Sequence, residues 1–184
     1  IDRFPELTGG RTATTFKATM SRQDPHADAR IAHAGTSITD ARIVAVMLHG
    51  RGAGAQDILG LAKEFSAADI AFVAPEAAGG TWYPYSFLMP IEQNEPSLSS
   101  ALRAFENVIA SLAQQNVTPE RIALMGFSQG ACLALDFAAR HAQRYAAVAA
   151  FSGGLIGPPG TSRNYSGSLA GTPVFLGCSD IDPH

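Results

Sequence analysis

Residues Arg121–His141, RIALMGFSQGACLALDFAARH, decide the reading of this chain. Ile122–Met125 is a short apolar run of strand size. Gly126-Phe127-Ser128-Gln129-Gly130 then makes a Gly-x-Ser-x-Gly turn, and Leu133, Phe137 and Ala138 follow at near-helical spacing. The five turn residues alone are also compatible with an ordinary turn. Between a buried strand and a helix, however, they are the signature of a nucleophile elbow. Such a turn is too sharp for side chains on its flanks, so glycine is needed at both ends. Ser128 is thereby raised above the carboxyl end of the strand. The N–H of Gln129, in the first helical turn, has no intrahelical partner.

Upstream, Arg42–Leu48 is an apolar, β-branched run with no polar face, as in a parallel strand covered on both sides. His49-Gly-Arg-Gly-Ala-Gly54 follows it directly. A helix is predicted from Ala55–Asp57 to about Ala68, then a buried strand over Ile70–Ala74 closed by Pro75. Ala77–Pro96 is a long irregular connection containing the only Trp, and connections of this length are usually functional or disordered. Ser99–Gln115 is the clearest helix, with Leu102, Phe105, Val108, Ile109 and Leu112 on one face. Ala146–Phe151 and Pro173–Leu176 read as further strands. Near the start, Thr12–Met20 and Ile31–Ile38 are read as two short strands, the second antiparallel. Strands alternating with helices indicate a mostly parallel α/β sheet.

The 184 residues fit one domain, long enough to bury about 70% of the unfolded surface without a metal or disulfide staple. The net charge of −3 and the scattered basic residues argue against a nucleic-acid partner. No apolar run approaches the roughly 20 residues of a membrane span. Cys132 and Cys178 form no C-x-x-C pair and have no zinc-like spacing, so no metal is expected. Cys132 is read as a small buried residue. The chain begins at Ile1, and its visible segment has no signal-like apolar core, so a cytoplasmic protein is expected.

Serine needs a base, an orienter for that base, and donors for the developing oxyanion. The Gln129 N–H is one donor. The loop after an earlier central strand supplies the other, and the Arg51 N–H occupies that place. A phosphate loop is excluded there, because Gly50-Arg-Gly-Ala-Gly54 lacks both Gly-Lys-Ser/Thr and the G-x-G-x-x-G spacing. His49 is read as a structural histidine bonding its own loop. The acid follows a strand after the elbow, which leaves Asp180 and Asp182. His26, His33 and His49 precede the serine, and His141 ends the elbow helix, where it is expected to meet the last carbonyls. His184 follows the acid but stands only two residues from Asp182, too close for the two to converge on Ser128 from separate loops, so the Ser–acid–His order is expected to put the base past residue 184.

With these residues in place, residues 40–184 resemble the phospholipase/carboxylesterase family of α/β-hydrolases, which includes acyl-protein thioesterases and lysophospholipases. The resemblance is carried by LHGRGA (Leu48–Ala53), GFSQGA (Gly126–Ala131), Ser152-Gly-Gly154 and the terminal PVFLGCSDIDPH. It implies an α/β-hydrolase fold and a cofactor-free serine hydrolase acting on small-molecule carboxylic esters, thioesters or lysophospholipids. Counting from Gly177 would pick Asp180 as the acid, whereas matching the family's Asp-Pro pair picks Asp182, which is given more weight. The family's histidine loop, last strand and last helix are expected beyond His184. Trp82, Phe87, Leu88 and Met89 are candidates for the wall of an apolar acyl pocket. An open sheet edge would tend to pair with a second copy, so a homodimer is one expected assembly. Two other readings compete: a non-catalytic module that binds a small apolar ligand, and a thiol-dependent enzyme using Cys132 or Cys178.

Overall fold

A computed structural model describes residues 24–65 and 68–179. The strand expected over Thr12–Met20 lies outside these residues, as do Asp180, Asp182 and His184. The described strands are β1 (Ile31–Gly35), β2 (Ile43–Leu48), β3 (Ile70–Pro75), β4 (Ile122–Phe127), β5 (Ala147–Phe151) and β6 (Val174–Gly177). They form one sheet in the order β1-β3-β2-β4-β5-β6. Only β1 runs antiparallel, against β3, and every other pairing is parallel.

The unbroken apolar run of β2 has its physical reason in the two layers that cover it. Val44, Val46 and Leu48 point into one core, and Ala45 and Met47 into the other. The first core is closed by α2 (Ser97–Gln114) and α3 (Gln129–Arg140). The predicted face of α2 enters it: Phe105, Val108 and Leu112 are buried, with Leu102 and Ile109 packed at its margin. Phe105 meets Phe137 of α3 with ring centroids 4.2 Å apart. Burying each such side chain contributes about 1.5–3 kcal/mol.

The second core is covered by α1 (Ala55–Leu59), through Ala55, Ile58 and Leu59. The helix predicted to reach Ala68 is therefore shorter than its sequence suggests. It tightens at Gly60 into a 3₁₀ turn over Gly60–Glu64, and Phe65 is already extended. Leu61 and Phe65 stay largely exposed, with the Phe65 ring only reaching the margin of the second core at Phe72 (centroids 5.8 Å apart), so little burial rewards a longer helix. A second correction concerns His141. Its Nε2 lies 3.0 Å from a Glu106 carboxylate oxygen, and its ring stacks on Phe137 at 4.4 Å. The pairing is thus lateral, between α3 and α2, and the last carbonyls of α3 are not its partner.

The strand register positions the site. Leu48 lies opposite Gly126, Gly126 opposite Ala150, and Phe151 opposite Gly177. Strands β2, β4, β5 and β6 thus end level with one another, so His49-Gly50-Arg51, Ser128-Gln129, Ser152-Gly153 and Cys178 emerge side by side. In open α/β sheets, ligands bind outside the carboxyl ends of the strands.

Candidate active site

Ser128 is the single residue between β4 and α3. Its backbone stands at φ 51°, ψ −116°, a region that costs an ordinary side chain energy and that strained functional turns occupy. The turn is held by the Ser128 N–H donating to the Phe151 carbonyl at 2.8 Å, and by the Cys132 N–H donating to the Ser128 carbonyl at 3.1 Å. The expectation of glycine on both flanks has a steric cause. A Cβ on Gly126 would stand 2.3 Å from the Gly130 carbonyl oxygen, and one on Gly130 would stand 2.2 Å from that of Leu48. Ser128 is half-buried, and its hydroxyl has no hydrogen-bond partner among the described residues.

The loop after β2 lies against this turn. A Cβ on Gly50 would sit 3.5 Å from Ser128 Cβ, so only a bare backbone passes there. Around Arg51, the Gly52 N–H donates to the Gly80 carbonyl (2.8 Å) and the Ala53 N–H to the Gly50 carbonyl (3.2 Å). The Arg51 N–H is left without a protein acceptor among the described residues. His49 is fully buried and is spent on this loop. Its Nε2 accepts the Ala77 N–H at 3.0 Å, so Nδ1, 2.8 Å from the Gly50 carbonyl, is the donor.

The irregular Ala77–Pro96 connection is ordered by tertiary hydrogen bonds, and its own backbone contributes only short 3₁₀ turns. Gln129 Oε1 accepts the Trp82 N–H at 2.9 Å, and Gln129 Nε2 donates to the Tyr83 carbonyl at 2.7 Å. The Arg51 guanidinium continues the clamp, donating to the Pro84 carbonyl at 2.8 Å and the Tyr85 carbonyl at 2.7 Å. Underneath, the Trp82 ring packs between His26 and His49, with centroids 5.5 and 5.1 Å away. The Trp82 indole N–H donates to the His49 carbonyl at 2.9 Å. His26 accepts the Ala78 N–H on Nδ1 and reaches the Trp82 carbonyl with Nε2 at 2.9 Å. Burial pushes the His26 pKa below its ordinary value, outweighing the Trp82 carbonyl bond that favours the charged ring.

These elements enclose a cleft of about 750 Å³, within the range of small-molecule sites. It brings together Ser128, Gln129, Arg51 and Phe87 of the residues singled out in the sequence. It does not include Trp82, Leu88 or Met89. Trp82 is wholly buried beneath the clamp, while Leu88 and Met89 lie on the surface. The apolar wall is instead made by Tyr83, Tyr85 and Phe87. Tyr83 and Tyr85 were legible only as aromatics beside Trp82, and nothing local says which of them face the cleft. The far wall, Ser152–Gly154, had a sequence signal in its Ser-Gly-Gly. Gly153 is needed because a Cβ there would sit 2.5 Å from Ala131 Cβ.

Both cysteines also border the cleft, and neither is in a disulfide. Cys132 is buried as expected. Burial pushes its thiol pKa up, against the opposing effect of the Gly154 N–H, which donates to its sulfur at 3.4 Å. Burial likewise raises the pKa of the Tyr83 hydroxyl, and the neighbouring Cys132 adds to the rise. Among the described residues, no three His, Cys, Asp or Glu side chains converge as a metal site would require. No described helix is long and apolar enough to cross a membrane.

The profile of the phospholipase/carboxylesterase family matches residues 30–184. A phospholipase/carboxylesterase from Dyadobacter fermentans, known from its crystal structure, is 43% identical. It superposes with a TM-score of 0.81, covering 85% of this chain and 75% of its own. The crystal structure of esterase PE8 is 28% identical at a TM-score of 0.60, over 70% of this chain and 65% of that one. Acyl-protein thioesterase 1 of Saccharomyces cerevisiae is 31% identical over 122 residues, which are 60% of this chain and 53% of that protein. The chain spans about half the length of the curated relatives it matches. Its architecture is the α/β-hydrolase fold.

Proposed function

This chain belongs to the phospholipase/carboxylesterase family, and on that premise we propose that it hydrolyses carboxylic esters through an acyl-enzyme on Ser128. The observation that carries this reading is the strained Ser128 backbone, with a hydroxyl that has no hydrogen-bond partner among the described residues and opens on the cleft. Ser128 Oγ attacks the acyl carbon while its proton passes to a histidine. The carbonyl oxygen becomes an oxyanion and is held by the N–H groups of Arg51 and Gln129. Collapse expels the alcohol, which takes the proton back, and water then clears the acyl group by the same steps. Each oxyanion donor of this kind is worth about 10²–10³ in rate.

The described histidines are engaged or placed elsewhere. His26 and His49 support Trp82, His141 pairs with Glu106, and His33 lies on β1 at the sheet edge. The base is therefore a histidine outside the described residues, oriented by Asp182, which also lies outside them. Thioesters and lysophospholipids present the same reacting carbonyl and fall within the same chemistry. Tyr83, Tyr85 and Phe87 supply the apolar contact for the acyl chain.

The test is labelling of the full-length protein with a fluorophosphonate, together with turnover of p-nitrophenyl butyrate. We expect one adduct, mapping to Ser128, and a loss of turnover of at least about 10³-fold in Ser128→Ala. A wild-type protein that takes no adduct and turns over no ester would leave the non-catalytic binding module as the better reading.

A further inference from the structure

We propose that the cleft selects esters carrying a second, negatively charged group, and that the Arg51 guanidinium reads that group. This deepens the esterase reading and rests on it. Arg51 is the one formally charged side chain among the described residues that line the cleft with Ser128. No carboxylate of a described residue pairs with it. Asp57 and Glu76, which lie beside Gly54 at the end of the Arg51 loop, are engaged elsewhere. An Asp57 carboxylate oxygen accepts the Gly54 N–H at 2.7 Å, and Glu76 pairs with Arg30 at 3.2 Å.

The cation is also held in place. Its two bonds to the Pro84 and Tyr85 carbonyls fix the guanidinium at the cleft wall and use two of its five N–H donors. A staple between carbonyls needs donors but no net charge. The neighbouring staple, on Trp82 and Tyr83, is made by the neutral amide of Gln129. The charge at Arg51 is therefore surplus to the clamp. A fixed guanidinium with free N–H groups is matched to carboxylate or phosphate oxygens. Its position in the same cleft as the serine places that anion on the substrate being cleaved.

The experiment compares matched esters on the full-length protein. Mono-p-nitrophenyl adipate against p-nitrophenyl hexanoate tests an anion on the acyl side. 4-Acetoxybenzoate against its methyl ester tests one on the alcohol side. For at least one pair we expect kcat/KM to favour the anion by about tenfold at low ionic strength, as one partly screened charge pair allows. That ratio should shrink in 0.5 M salt and fall to about one or below in Arg51→Gln. The ratio is internal to each protein, so a general loss of activity in the variant does not imitate the result. The salt series on wild type needs no variant at all. Neutral esters turned over as well as or better than the anionic ones in both pairs would overturn the proposal and leave the esterase reading standing. A preference that persists unchanged in Arg51→Gln would also overturn it. Turnover of none of the four esters would sink both.

Discussion

Gln129 holds Trp82 in place: its side-chain Oε1 accepts the Trp82 backbone N–H at 2.9 Å, and both residues are buried. The same amide donates to the Tyr83 carbonyl. The residue that follows the candidate nucleophile thus ties the aromatic connection to the elbow.

Gln129→Leu keeps the residue's backbone N–H but leaves two backbone groups of the connection without their partner. Each such buried group costs about 1–3 kcal/mol, so a combined loss of about 2–6 kcal/mol is expected. Denaturant unfolding measures it. Trp82 is the only tryptophan, so its emission reports the same change, and a red shift in the folded variant is expected as water reaches the ring. Unchanged stability and emission would mean the amide bonds are idle.

His26 makes this region pH-sensitive. Burial lowers its pKa, so the folded state prefers the neutral ring, whose Nδ1 accepts the Ala78 N–H. A depressed folded value means the stabilisation is fully present above the unfolded value of about 6.5 and is lost as pH falls through the folded value. Denaturation midpoints should fall between pH 7.5 and pH 5.5, above most carboxylate titration. In His26→Gln that slope should flatten. An equal slope in both proteins would assign the pH effect to other groups.

Two glycines near the candidate site should respond very differently to alanine. At Gly130 a Cβ meets the Leu48 and His49 carbonyl oxygens at 2.2 and 2.6 Å, which are backbone atoms with no room to retreat. Gly130→Ala is expected to cost about 3 kcal/mol or more, or to prevent folding. Gly52 has a positive φ of 77° but open space around its Cβ position. Gly52→Ala should cost only the backbone term, about 1–2 kcal/mol. Thermal unfolding of the two variants ranks them, and the reverse order would refute the steric account of the elbow.

What was legible in the sequence divides by the range of the interactions responsible. The strands β2, β4 and β5 and the elbow were legible because short unbroken apolar runs and a Gly-x-Ser-x-Gly turn carry their constraint locally. Helix α2 was legible from its period. The end of α1 was not, because Leu61 and Phe65 are apolar yet stay largely exposed, and only the tertiary fold decides that. The aromatic wall was half legible. Trp82, Phe87, Leu88 and Met89 stood out as an aromatic and apolar group in a long connection, but Trp82 turns inward because His26, His49 and Gln129 reach it from 56, 33 and 47 residues away. Only a tertiary contact decides between the cleft and the core for such residues.

The two cleft cysteines should differ in reactivity, and that difference tests the cleft itself. Cys132 is buried, and burial raises its thiol pKa despite the opposing Gly154 N–H, so it carries little thiolate at neutral pH. Cys178 is exposed at the end of β6, level with Ser128 and Ser152 by strand register. Iodoacetamide should therefore modify Cys178 first in the folded protein, and Cys132 only after denaturant is added. A bulky maleimide on Cys178 should slow fluorophosphonate labelling of Ser128, because both side chains border one cleft. Cys178→Ala should remove that inhibition. Peptide mapping by mass spectrometry follows both sites. Fast native labelling of Cys132, or a maleimide on Cys178 that leaves Ser128 equally reactive, would show that the cleft walls are not arranged around Ser128 as described.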